Sequence, residues 1–97
     1  MRIIWSPLAV ERIAEISDYI AEDNPDASVT WVESIFKVIE RLENYPESGR
    51  IVPEISKPNF REIIHGHYRI IYKIQQEDLF VLTVRHIKQI LPLDDVN

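Results

Sequence analysis

The sequence predicts an α+β fold of order β-α-α-β-β-β, in which a helical hairpin packs on one face of an antiparallel sheet. Two pairs of a capping residue and a proline, Ser6-Pro7 and Asn24-Pro25, each precede an apolar stripe with helical spacing. Three runs of β-branched and aromatic residues follow later, separated by short polar links. A chain of 97 residues is expected to form one domain, 1–97.

The first strand and first helix are predicted at the start of the chain. Residues 2–5 are partly β-branched and end at Ser6-Pro7, which favours a short strand. The Ser6 hydroxyl can cap a free N–H group, and Pro7 suits the first helical turn. The apolar stripe of this helix consists of Ala9, Ile13, Ile16 and Ile20.

The second helix is predicted to begin at Asn24-Pro25, where the same cap is repeated. It should end near Tyr45, because a residue before a proline avoids the helical region. The two helices would therefore form an αα-hairpin. The stripe of the second helix consists of Val32, Ile35, Phe36, Ile39 and Leu42.

An ordered loop is expected at residues 46–58, which contain three prolines and a glycine. Three strands are then predicted, at Phe60 to Ile64, Tyr68 to Ile74 and Leu79 to Val84. Because their links are short, they should run antiparallel.

Alternation along these strands predicts two faces. The face towards the helices is expected to carry Phe60, Ile64, Tyr68, Ile70, Tyr72, Ile74, Phe80, Leu82 and Val84. The opposite face is expected to carry Arg61, Ile63, His65, Arg69, Ile71, Lys73, Val81, Thr83 and Arg85.

The register of the last hairpin decides which residue faces Arg69. A three-residue loop at 76–78 places Arg69 opposite Arg85, whereas a two-residue loop places it opposite Val84. Two facing arginines destabilise a ladder, so the first register predicts an anion over this part of the sheet.

The charge distribution argues against a general nucleic-acid binder. The net charge is −5, with five basic against eleven acidic residues in 1–56. Residues 57–91 carry six basic against three acidic residues and all three histidines. An acidic protein with one basic stretch fits an acidic peptide partner or a restricted anion site better than nucleic acid.

No segment is long and apolar enough to predict a membrane span, and the start lacks the pattern of a signal peptide. With no cysteine, disulfides and thiolate metal sites are excluded, and a cytoplasmic protein is expected.

The candidate binding residues form a basic strip, Arg61, Arg69, Lys73 and Arg85. They can hold a partner's carboxylates or a phosphate, or they can be a solvated sheet face whose long side chains cover apolar residues. His86 is a candidate general acid or base, with a structural role as the alternative.

Metal and cofactor sites are not expected. His65 and His67 lack a third ligand nearby, so solvated turn histidines are favoured over a metal clamp.

Taken in order, the segments resemble the ParE branch of the RelE/ParE toxin superfamily over about residues 2–88. The likeness to its first helix is carried by Ile4-Trp5-Ser6-Pro7, Ala9, Ile16 and Asp18-Tyr19-Ile20-Ala21. The likeness to the loop after its second helix is carried by Tyr45-Pro46-Glu47-Ser48-Gly49-Arg50. The likeness to its three last strands is carried by Arg61-Glu62-Ile63-Ile64, Tyr68-Arg69-Ile70-Ile71-Tyr72 and Val81-Leu82-Thr83-Val84-Arg85-His86.

This resemblance implies a helical hairpin on a curved antiparallel sheet and a toxin that causes growth arrest, as in plasmid stabilization systems. A cognate antitoxin would wrap and silence it in a hetero-oligomer. ParE-like members inhibit DNA gyrase without established hydrolytic chemistry. RelE-like members cleave mRNA in the ribosome as endoribonucleases, using a basic surface with acid and base side chains.

The resemblance favours gyrase inhibition, and therefore a toxin that is not an enzyme. The chain has no tyrosine after Tyr72, and it is acidic, whereas ribosome binding favours a basic protein. The alternative is an mRNA endoribonuclease, because Arg69 and His86 match positions that serve cleavage in some nuclease members. Such an enzyme would also use Arg61, with Glu54 or Glu62 as a base.

Overall fold

The computed structural model describes residues 1–96 and has the predicted order of helices and main strands. The elements are β1 (Arg2–Trp5), α1 (Pro7–Asp23), α2 (Pro25–Arg41), β2 (Arg50–Ile51), β3 (Phe60–His65), β4 (Tyr68–Gln75) and β5 (Asp78–His86). A short 3-10 turn, Leu93–Val96, follows. The strands form one five-stranded sheet in the order β1-β5-β4-β3-β2.

Both helix starts are confirmed at atomic detail. The Ser6 Oγ accepts a hydrogen bond from the Ala9 N–H at 3.0 Å, and the Asn24 Oδ1 accepts one from the Ala27 N–H at 3.1 Å. Asn24 also donates its own N–H to the Ile20 carbonyl, so one residue closes α1 and opens α2. The second helix ends at Arg41, earlier than expected, and a turn leads from there towards Pro46.

The main core lies between the helical hairpin and the sheet. Its buried members are Ala9, Ile13, Ile35, Ile39, Leu42, Ile70, Tyr72, Leu79, Val81 and Val84. Trp5 and Trp31 pack at its margin, against Phe36 and Tyr68 respectively. Neither helix of the described chain is long and apolar enough to cross a bilayer.

A second apolar cluster lies on the other face of the sheet. Ile71 is buried there with Val52 of the loop and with Leu91 and Val96 of the C-terminal segment. This face is therefore partly covered by the chain's own loop and tail.

Two strand pairings were not expected. β1 pairs with β5 in parallel, so the sheet is mixed, while the other pairings are antiparallel. β2 lies in the segment expected to be a loop and pairs with β3 at the opposite edge. Its two residues are too few to show alternation, which explains why the sequence pattern did not reveal it.

The predicted faces of β3 are wrong. The two-residue turn Gly66-His67 pairs His65 with Tyr68, so both side chains lie on the helix side. Ile63 packs against the main core. Arg61 and His65 lie on the same side as Ile63, so the prediction that they share the open face with Arg69 is wrong. Phe60 packs with the second cluster instead of the helices. Ile64 shares the phase of Phe60 and is turned away from the helices as well.

The predicted faces of β5 are wrong over its first part only. A β-bulge at Leu82 separates the pairs Ile71 with Thr83 and Tyr72 with Val81. Leu79 and Val81 therefore face the helices, whereas Leu82 packs with the second cluster and Phe80, opposite Lys73, lies on that open face too. Thr83 and Arg85, beyond the bulge, lie on the open face as predicted.

A buried tyrosine ties the loop after α2 to the sheet. The Tyr72 hydroxyl donates to the Pro46 carbonyl at 2.7 Å and accepts from the Gly49 N–H at 3.0 Å. Its side chain is fully buried, so both loop groups depend on it. A methyl group on Gly49 would approach this hydroxyl to 2.5 Å, which explains the glycine.

We expect Tyr72→Phe to lower the free energy of unfolding by about 1–3 kcal/mol, because the buried Gly49 N–H and the partly buried Pro46 carbonyl lose their partner. Urea denaturation measures the change. Tyr45→Phe, which removes an exposed hydroxyl, is the matched control and should change stability by less than about 0.5 kcal/mol. Equal effects of the two substitutions would contradict the role given to Tyr72.

Candidate functional site

The open face of the sheet carries Arg69, Lys73 and Arg85, and Arg69 lies directly opposite Arg85 as the first register predicted. The reason differs from the expected one. The turn has two residues, since Gln75 pairs with Asp78, and the bulge at Leu82 restores the pairing of the two arginines. Both guanidinium groups are neutralised by carboxylates of the same chain.

Arg69 is buried in a cluster of carboxylates. Its Nη1 and Nη2 donate to the two oxygens of Glu54 at 2.7 Å each, and its Nε donates to Glu62 Oε1 at 2.7 Å. Glu62 is 1% exposed and also accepts from Arg50 of β2. The bidentate pair with Glu54 holds the 46–58 loop over the sheet.

The ionisation of this cluster is shifted strongly. The hydrogen bonds from Arg69 lower the pKa of Glu54 to about 2, against a smaller opposing effect of burial. The hydrogen bonds to Glu54 raise the pKa of Arg69 above its ordinary value. Burial lowers this pKa, but the combined effect of Glu54 and Glu62 is larger. Both groups are therefore charged at neutral pH, and their hydrogen-bonding capacity is used within the fold.

Arg85 is neutralised by the C-terminal segment. Its Nε donates to Asp95 Oδ2 at 2.6 Å, and the Thr83 hydroxyl donates to the same oxygen at 3.1 Å. Asp95 is 8% exposed. Burial opposes its ionisation, but the bonds from Arg85 and Thr83 outweigh burial and hold its pKa below the ordinary value.

The remaining members of the predicted basic strip are separated. Lys73 lies on the open face with its Nζ 5.3 Å from the centre of the Phe60 ring, a cation–π contact. Arg61 lies on the helix side and donates to the carbonyls of Pro58 and Gly49. Its role is to fix the loop backbone, and it does not share a surface with Arg69.

His86 lies at the end of β5 beside a cleft of about 310 Å³ between that strand and α1. Its ring contacts Tyr68 edge-on and stacks on His67. The His86 Nδ1 accepts from the Lys88 N–H at 3.1 Å, which leaves Nε2 to carry the proton in the neutral ring. Arg12 and Tyr19 line the α1 side of the cleft.

The candidate nuclease residues do not converge. His86 pairs with Tyr68 on the helix side of the sheet, whereas Glu54 and Arg69 meet on the open face. Arg61 lies among the loop carbonyls. Acid–base catalysis by this set would require the four residues to reach one reacting group, and they lie on different parts of the sheet.

The histidine pair is also divided. His65 Nε2 lies 2.9 Å from the Ser34 hydroxyl of α2, and His67 stacks on His86. Within residues 1–96 no group of three or more His, Cys, Asp or Glu side chains is placed to hold a metal ion.

Two residues of the open-face site were missed by sequence reasoning. Asp95 lies nine positions after the end of β5, and the 3-10 turn of the C-terminal segment returns it to Arg85. Arg12, on α1, has its Nη2 3.9 Å from Asp95 Oδ1. A signal was present in the pair Asp94-Asp95, which follows the basic stretch directly.

Comparisons with known proteins agree with this architecture. Residues 3–91 match the profile of a family described as the ParE toxin of the type II toxin–antitoxin system parDE. The chain is 39% identical over 93 residues to "Putative toxin Y4kP" of Sinorhizobium fredii, covering 94% of this chain and 93% of that protein. A solved structure described as the chromosomal ParDE TA system from P. aeruginosa matches with a TM-score of 0.75 and 16% identity. That match covers 91% of this chain and 97% of the other and supports the fold.

Because the folded-state pKa of Glu54 lies below its ordinary value of 4.5, its stabilisation is present above that pH and is lost as the pH falls towards 2. We expect Glu54→Gln to cost about 1 kcal/mol at neutral pH, because solvent screens the partly exposed carboxylate, and to flatten the stability profile between pH 5 and 3. Urea denaturation across pH measures this. Glu43→Gln, at an exposed position, is the control and should keep the wild-type slope. A Glu54→Gln profile as steep as the wild type would refute the ion pair between Glu54 and Arg69 as the source.

Proposed function

Because the chain belongs to the ParE toxin family of type II toxin–antitoxin systems, we propose that residues 1–97 act as one toxin domain that inhibits DNA gyrase by contact. A cognate antitoxin neutralises it by binding the same chain. The proposed action on gyrase would take place in the cytoplasm.

The observation that carries the proposal is the dispersal of the nuclease candidates. Glu54 is ionised and both of its oxygens bind Arg69, so it has little capacity to accept a proton from an attacking group. Arg69, 5% exposed, is not available to a scissile phosphate. His86 lies on the other side of the sheet. A toxin that acts by binding needs none of these groups to meet.

The charge of the molecule supports the same proposal. The chain is acidic, with a net charge of −5, and α1 and α2 carry half of its aspartates and glutamates. Binding within a ribosome requires contact with closely spaced phosphates, which an acidic helical surface opposes. A protein target such as gyrase places no such demand on the whole surface.

The antitoxin is expected to bind two surfaces, because a partner segment can use both a helix and an extended strand. The first is an apolar groove of about 340 Å³ lined by Trp5, Val10, Ile13 and Phe36. Val10 is 55% and Phe36 45% exposed, and a contiguous exposed apolar patch is typical of a protein interaction site. We propose that an amphipathic antitoxin helix covers this groove.

The second surface is the open face, where acidic residues of the antitoxin reach Lys73. Of the residues first proposed for this role, Arg61, Arg69 and Arg85 are engaged within the fold, so an antitoxin acid reaches Arg85 only in place of Asp95. Within the described chain, Lys73 has no carboxylate partner, so it is free to attract one.

The purified toxin should inhibit DNA supercoiling by gyrase or trap cleaved DNA at micromolar concentration, and added antitoxin should restore supercoiling. Toe-printing on translating ribosomes is run in parallel. Message cleavage that disappears with His86→Ala, together with unaffected supercoiling, would replace this proposal with the nuclease function.

We expect Lys73→Glu to weaken antitoxin binding about fivefold, mainly through slower association, because it reverses one charge at the rim of the interface. The effect should shrink at high salt. Surface plasmon resonance at two ionic strengths measures both. Arg41→Glu, at the end of α2 and away from the open face, is the control for net charge. Equal losses from the two substitutions would show that the antitoxin does not use this face.

A further inference from the structure

We propose that the C-terminal segment, residues 91–96, occupies a carboxylate-binding surface that an acidic segment of the antitoxin takes over, so that the tail and the partner compete. The identity of the partner rests on the proposed function. The surface itself rests on side chains of α1 and β5.

The surface is built to hold one carboxylate. Arg85 and Thr83 project from the same face of β5, two residues apart, and both donate to Asp95 Oδ2. A charged donor and a hydroxyl converging on one oxygen recognise an anion with defined geometry. Because β5 is paired with β4 along its length, these donors are in place before any ligand arrives.

Asp95 fills this surface incompletely. Its second oxygen, Oδ1, stays 3.9 Å from Arg12 Nη2, beyond hydrogen-bonding distance. The Arg12 Nε is buried and has no acceptor among the described residues. A carboxylate placed closer to α1 would satisfy donors that Asp95 leaves unused, which favours an intermolecular ligand over the tail.

The tail is held by few contacts. Leu91 and Val96 are buried against Val52 and Ile71, whereas Ile90 is 86% and Leu93 60% exposed. A single 3-10 turn is its only regular structure. Segments with so little buried apolar area and so few backbone bonds open at a small fraction of the global unfolding free energy.

The tail also indicates the chemistry of its competitor. Its docked pattern is an aliphatic residue, Leu91, followed four positions later by an acid and a second aliphatic residue, Asp95-Val96. The open face adds the positive charge of Lys73. An extended antitoxin segment with an acid between aliphatic residues matches both the apolar cluster and the guanidinium.

Competition lowers the apparent affinity in proportion to the fraction of open molecules. A tail that is open in about one molecule in ten reduces antitoxin affinity about tenfold, and releasing the tail restores it. The tail would therefore set how much free antitoxin is needed to silence the toxin.

The experiment compares two neighbouring acids. Full-length Asp95→Asn loses the carboxylate that binds Arg85, whereas Asp94→Asn removes an equal charge from an exposed position. Isothermal titration with the antitoxin should give roughly tenfold tighter binding for Asp95→Asn and wild-type affinity for Asp94→Asn. Unchanged or weaker binding of Asp95→Asn would overturn the proposal.

A second variant guards against misfolding of the first. Val96→Ser removes an apolar anchor of the tail and leaves every charge in place. It should also tighten antitoxin binding, by a smaller factor, while thermal unfolding confirms that the fold persists. Weaker binding by a folded Val96→Ser chain would equally overturn the competition.

A peptide arm separates this inference from the proposed function. A synthetic peptide of residues 90–96 is titrated into the full-length Asp95→Asn chain, without antitoxin. It should bind more tightly than the same peptide carrying Asn at position 95. If the wild-type chain fails to bind antitoxin, the proposed pairing fails, and the peptide preference still decides the carboxylate site. No preference between the peptides overturns it.

Discussion

Two arginines face each other across β4 and β5, and the open side of the sheet is organised by the need to neutralise them. Like charges opposite one another destabilise a ladder unless anions lie close by. Glu54 and Glu62 form ion pairs with Arg69, and Asp95 forms one with Arg85. Because Glu54 belongs to a loop and Asp95 to the tail, both segments are drawn over the same face. Their apolar residues then meet around Ile71 and form the second cluster.

The same pairing decides what chemistry the site can perform. A carboxylate whose two oxygens already bind a guanidinium is a poor base, and a buried guanidinium is a poor phosphate ligand. Arg69, which matches a position used for cleavage in some nuclease members, and Glu54, a candidate base, therefore hold the fold together. The groups that remain accessible, Lys73 and the exposed apolar residues of the hairpin, are suited to contact with another protein. That distribution supports the proposal that the protein acts by binding.

Alternation predicted which residues of β4 share a face, because one uninterrupted strand has one phase. It did not predict which face each residue of β3 takes, because the apolar residues of this strand occupy both odd and even positions. The two-residue turn at Gly66 set that phase by pairing His65 with Tyr68. In β5 the bulge at Leu82 changed the phase within a strand, and no local pattern marks it. The pairing of Arg69 with Arg85 was predicted correctly for a different reason. The turn is one residue shorter than the predicted loop, and the extra residue at the bulge shifts the register back by one.

The sequence by itself determined the helical hairpin, the three main strands and the resemblance to one toxin family. These depend on caps, prolines and spacings that act within a few residues, so short stretches of sequence are enough to predict them. Only the tertiary structure decided the parallel pairing of β1 with β5 and the engagement of each arginine. It also brought Asp95 back to Arg85 and separated His86 from Glu54. Such contacts join residues far apart in the chain, and their partners are selected by burial and charge after the strands have paired.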